Sequence, residues 1–91
     1  MNSASLLQML NQRIEALAQA ISPIADHQNS RARFDEVLFH TKGKTLKDYL
    51  AEVQSNMHQL TLNVEQGKRE RVSFLAERLV AQIAALQREL A

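Results

Sequence analysis

The sequence predicts an all-α fold, a small antiparallel helical bundle of three long helices plus one short helix. Composition is the first reason: two Gly, one Pro, one Tyr and no Trp are too few turn and strand formers for a β fold. The second is periodicity, because apolar residues recur at spacings of three and four along three separate stretches. The third is punctuation, since the breaks between these stretches fall at residues that stop or start helices.

The first helix has Ser3 or Ser5 as its candidate N-cap, and Leu7, Leu10, Ile14, Leu17 and Ile21 form its stripe. Pro23 disfavours helical geometry at Ser22, so this helix ends near there. Residues 22–30 form a polar connection with Ile24 as a tether to the core, and a short helix follows over about 31–40. In the next long segment Thr45 supplies a capping hydroxyl and Asp48 a carboxylate three residues on, a capping box with Asp in place of Glu. Leu46, Leu50, Val53, Met57, Leu60 and Val64 continue the stripe, and Gly67 can take the left-handed terminal position, so the helix covers 46–66. The last helix carries Val72, Leu75, Leu79, Ile83, Leu86 and Leu90. Its apolar face is widened by Phe74, Ala76, Val80, Ala81, Ala84 and Ala85 beyond what one neighbour covers. The short turn between the last two helices makes them antiparallel neighbours.

The whole chain of 91 residues reads as a single domain. A domain of this size buries only about 60–65% of its unfolded surface, which leaves a small margin of stability. With no Cys there is no disulfide, thiolate metal site or cysteine nucleophile. The opening MNSASLLQML lacks the basic and small-residue features of a secretory signal, and no apolar run reaches membrane-spanning length. A soluble, intracellular protein is expected.

Nothing in the sequence assembles a catalytic site. His27, His40 and His58 are far apart, and Glu36 with His40 gives two ligands on one helix face, too few for zinc. There is no phosphate-binding glycine loop, nucleophile elbow or calcium loop, so neither an enzyme nor a cofactor is expected. Eleven Lys and Arg against ten Asp and Glu give a net charge of +1, so any anion binding has to come from local clustering. Two clusters exist: Arg31, Arg33, Lys42, Lys44 and Lys47 bracket the short helix, and Lys68, Arg69 and Arg71 mark the last turn. Phe34 and Phe39 lie among the first group. Because Val37 and Leu38 separate them, they read as the buried face of the short helix rather than as stacking platforms.

Ser30 with Arg33-Phe34-Asp35, Leu38-Phe39, Thr41 and Thr45-Leu46 resembles the same stretch in the PriC family of replication-restart primosome proteins of enteric-type bacteria. The likeness continues through Val64-Glu65-Gln66, Leu75-Ala76-Glu77, Leu79, Ala81-Gln82 and Arg88-Glu89, and more loosely from Leu6-Leu7 to Pro23. The joint run, nearly the whole chain in one register, carries the resemblance rather than any one motif. Members of that family are longer and end in an arginine-rich region, so the resemblance implies that this chain is the amino-terminal part of a longer protein.

What the resemblance implies is a non-enzymatic adaptor in the bacterial cytoplasm that helps reload the replicative DnaB-type helicase at stalled forks. Its implied partners are the acidic tail of single-stranded DNA-binding protein and the helicase or its loader complex, without a membrane. Direct binding of single-stranded DNA by this part of the chain is expected to be weak or absent, because the basic region lies elsewhere. The expected contact residues are Arg31, Arg33, Lys42 and Lys44, with Asp35 orienting one arginine or capping the short helix. The alternative is a helical oligomerisation or scaffold module with no direct nucleic-acid role.

Overall fold

The structure, a computed structural model, describes residues 3–24, 38–40 and 45–90. It contains helix α1 (Ser3–Ile21), helix α2 (Leu46–Glu65) and helix α3 (Arg69–Leu90), and no strand among the described residues. The all-α bundle of three long helices is as the periodicity predicts. The expected short helix falls mostly outside the described residues. Its last three positions, Leu38 to His40, are turn and irregular backbone rather than helix.

Each stripe becomes a buried seam. Leu10, Ile14, Leu17 and Ile21 of α1 meet Leu46, Leu50, Val53, Met57 and Leu60 of α2 and Leu79, Ile83, Ala85 and Leu86 of α3 in one core. Leu7, Val64, Val72, Leu75 and Leu90, at the ends of the same stripes, are half-buried against it. Helices of 19 to 22 residues are about 30 Å long at 1.5 Å per residue, which makes the bundle elongated along their axes. The α2–α3 pair is the most extensively packed of the three.

The ends of α2 follow the expected chemistry at both sides. The Thr45 hydroxyl accepts from the Asp48 N–H at 3.3 Å, and the Thr45 N–H donates to the Asp48 carboxylate at 3.2 Å, a reciprocal capping box. At the other end Gly67 has φ +70, the left-handed region where a side chain costs energy. Its N–H donates to the Val64 carbonyl at 3.1 Å and the Lys68 N–H reaches the Asn63 carbonyl at 3.0 Å. That pair of bonds is a Schellman motif, and it satisfies two of the helix's terminal carbonyls while turning the chain into α3. Asn63 is buried, and its amide is satisfied by donating to the Gln59 carbonyl at 2.7 Å.

Candidate partner-binding surface

The five residues expected to contact partners fall in two runs, Arg31, Arg33 and Asp35 in the first and Lys42 and Lys44 in the second. Both runs lie outside the described residues, as does Phe34. What the structure does place is the stretch between them, Leu38 to His40, and Thr45 immediately after.

That stretch is attached to the bundle at three points. Phe39 is 2% exposed, and its ring meets Tyr49 of α2 edge to face with centroids 5.1 Å apart. Phe39 is therefore a core residue, as its sequence context suggests, and Leu38 packs half-buried beside it. The Leu38 carbonyl accepts a hydrogen bond from the Gln82 amide of α3 at 2.8 Å. The His40 N–H donates to the Glu52 carboxylate of α2 at 3.1 Å.

Gln82 organises these contacts. It is fully buried at 0% exposure, on the apolar side of α3 between Leu79 and Leu86. Its Nε2 donates both to Leu38 and, at 2.9 Å, to Glu52 Oε2. Its Oε1 accepts from Asn56 Nδ2 at 3.1 Å. A buried amide would be costly without partners, and this one has three. It works as a clamp that holds one irregular strip of backbone to two helices at once. The sequence assigns no role to Glu52 or Asn56, and Gln82 enters it only within the family resemblance. The available signal was Gln82 itself, a polar residue three positions after Leu79 and four before Leu86, inside an apolar row.

A second surface runs along the first half of α3. Lys68, Arg69 and Arg71 are exposed, as the sequence reading anticipated for this turn. Phe74, one turn further on, is 63% exposed, and Val80 is 40% exposed. The wide apolar face read from the sequence is thus left partly uncovered. Arg78 is half-buried, and its Nε and Nη2 are out of contact with solvent with no hydrogen-bond partner. Arg71, Arg78 and Ala85 lie seven residues apart on one row of the helix, and Gln82 follows Arg78 at i+4. The cationic row therefore continues the side of α3 that grips Leu38.

Among the described residues no three His, Cys, Asp or Glu side chains come together to hold a metal ion. None of the described helices is long and apolar enough to cross a membrane. Fold and surface together define a small helical bundle that carries a clamped irregular segment and a helix face with exposed basic and aromatic side chains.

The family is settled by comparison with known proteins. Residues 8–91 match the family model described as "Primosomal replication protein priC", and the chain belongs to that family. It is 47% identical over 89 residues to the "Replication restart protein PriC" of Klebsiella pneumoniae, covering 98% of this chain and 51% of that protein. It is 46% identical over 91 residues to the protein of the same name from Cronobacter sakazakii, covering 100% of this chain and 53% of the other. The Escherichia coli protein of that name is 38% identical over 89 residues, covering 98% of this chain and 51% of that one. The chain spans about half the length of these relatives. No solved structure matches it.

Proposed function

We propose that this chain is a non-enzymatic adaptor domain of the bacterial replication-restart machinery, acting in the cytoplasm. In this reading it helps reload the replicative DnaB-type helicase at stalled forks. It does so through the acidic tail of single-stranded DNA-binding protein and through the helicase or its loader complex. The observation that carries the reading is family membership over residues 8–91, with relatives whose own names state replication restart.

The physical role assigned to the domain is to present a short charged segment on a rigid base. Arg31, Arg33, Lys42 and Lys44 would supply cations on both sides of the clamped Leu38–His40 strip, with Asp35 orienting one arginine or capping the short helix. Guanidinium groups suit the carboxylates of an acidic tail because they can donate two parallel hydrogen bonds. Each single contact of this kind, while solvated, contributes little, so several must act together.

The test is to titrate fluorescently labelled protein with the helicase and with an acidic tail peptide. The double variant Arg33→Ala with Lys44→Ala is expected to weaken at least one of these interactions. Affinities equal to those of the unmodified chain for both partners rule out the segment as the contact surface.

A further inference from the structure

We infer that the cleft between α2 and α3 that holds Leu38–His40 is a peptide-binding site, filled at rest by the chain's own segment. The ligand it takes from another protein is an internal, non-helical stretch in which an aliphatic residue precedes an aromatic one. The site stands apart from the restart-adaptor reading. Its residues are Tyr49, Glu52, Asn56 and Gln82, and none of the cations of the 31–44 segment takes part.

The grip on Leu38–His40 has the form of ligand recognition rather than of loop packing. A connecting segment ordinarily leaves its backbone groups to water or closes them on itself in turns. Here a buried ring is the anchor, and the backbone groups on both sides of it are paired by side chains. Phe39 is buried edge to face against Tyr49. Before the ring, the Leu38 carbonyl accepts from Gln82 Nε2 at 2.8 Å; after it, the His40 N–H donates to Glu52 Oε2 at 3.1 Å. An aromatic pocket with a donor on one side and an acceptor on the other reads both the ring and the direction of its chain.

The site is also assembled without its ligand. Tyr49, Glu52 and Asn56 recur at i, i+3 and i+7 on one face of α2, opposite Gln82 of α3. Gln82 Oε1 accepts from Asn56 Nδ2 at 3.1 Å, and its Nε2 donates to Glu52 Oε2 at 2.9 Å. Both gripping groups are therefore oriented by the two helices, and such preorganisation lowers the cost of binding. Glu52 sets the ligand class. A peptide that ended at its aromatic residue would lack the N–H that Glu52 accepts and would bring a second carboxylate against it. A free carboxyl end is refused.

The chain's own segment competes at a local concentration on the order of millimolar, which keeps dilute ligands out. The test therefore empties the cleft. A blocked, fluorescein-labelled heptapeptide, Glu-Val-Leu-Phe-His-Thr-Lys, the sequence of residues 36–42, is titrated against the unmodified chain and against Phe39→Ala. Without the competing ring, Phe39→Ala should bind roughly tenfold or more tightly than the unmodified chain. Its melting temperature should rise with peptide concentration, as mass action requires. Where this variant unfolds by itself, recovery of helical circular dichroism on adding the peptide is the same readout. Replacing the peptide's phenylalanine by alanine should cost about 30-fold or more, the loss expected for a dominant anchor. The inference is overturned if Phe39→Ala neither binds the heptapeptide nor gains helix or stability from it, or if both proteins bind it equally. A peptide with a free carboxyl end at its phenylalanine that binds as well as the heptapeptide also overturns it. So does self-association of the unmodified chain in sedimentation without capture of free peptide, the sign of exchange between copies. Each of these failures leaves the restart-adaptor reading standing, because that reading is tested at Arg33 and Lys44.

Discussion

Gln82 and Gly67 are single residues on which separable parts of the architecture depend, and their substitutions should act for different physical reasons. Gln82→Leu keeps the side-chain volume roughly constant but removes every hydrogen bond that the amide makes to Leu38, Glu52 and Asn56. Groups left unsatisfied in partial burial cost about 1–3 kcal/mol, so urea unfolding should show a loss of that order. The same variant should weaken any partner contact made by the 31–44 segment, because the strip at its centre loses its grip on α3. An unfolding midpoint equal to that of the unmodified protein would show the clamp to be energetically idle. Gly67 is a backbone case instead. A Cβ there would meet nothing within 4 Å, so the cost of Gly67→Ala is conformational only, about 1–2 kcal/mol for the left-handed region. Asn tolerates that region better, so Gly67→Asn should cost measurably less than Gly67→Ala. If the two variants unfold at the same denaturant concentration, φ at this residue does not control the turn.

Helix α2 shows at the scale of an element what a sequence can and cannot specify. Both of its ends were legible, because Thr45 with Asp48 and Gly67 act through bonds to residues no more than a few positions away. Thr45→Ala removes one half of the capping box and should destabilise the protein by about 1 kcal/mol, readable as a drop in melting temperature of roughly 4–8 °C. Adding Asp48→Ala should cost less than a second independent cap would, since the two bonds serve the same helix end. The buried stripes were equally legible, as was the core position of Phe39. The clamp was not. Gln82 and Leu38 are 44 positions apart, and periodicity says which side of a helix is buried without saying what lies across from it. Phe74 shows the converse: its apolar character was plain in the sequence, but its exposure depends on where the neighbouring helices stop covering α3. The cations proposed as contacts were legible only as a charge pattern and through the family resemblance, and they lie outside the described residues.

For the molecule as a whole, the pattern of packing predicts which parts open together. Helices α2 and α3 are joined by a turn of a few residues and share the most extensive contact in the bundle. Closing so short a connection costs little entropy, so this pair should form the most stable unit. Helix α1 is joined to α2 through a connection of more than twenty residues and packs less extensively on each neighbour. Its detachment loses the Leu10, Ile14 and Leu17 contacts but leaves the α2–α3 interface in place. Native-state hydrogen exchange should therefore show the amides of α1 opening at lower free energy than those at the centre of α2 and α3. The His40 amide supplies the decisive comparison, because its acceptor is Glu52 on α2 and Glu52 is itself held by Gln82 on α3. If the clamped strip belongs to the α2–α3 unit, the His40 amide stays protected through the opening of α1 and follows the unfolding of that pair. The strip would then remain docked while α1 moves, and a partner bound to the segment would sense α2 and α3 rather than α1. Exchange of His40 in step with α1, or equal protection across all three helices, would show instead that the bundle opens as one cooperative body.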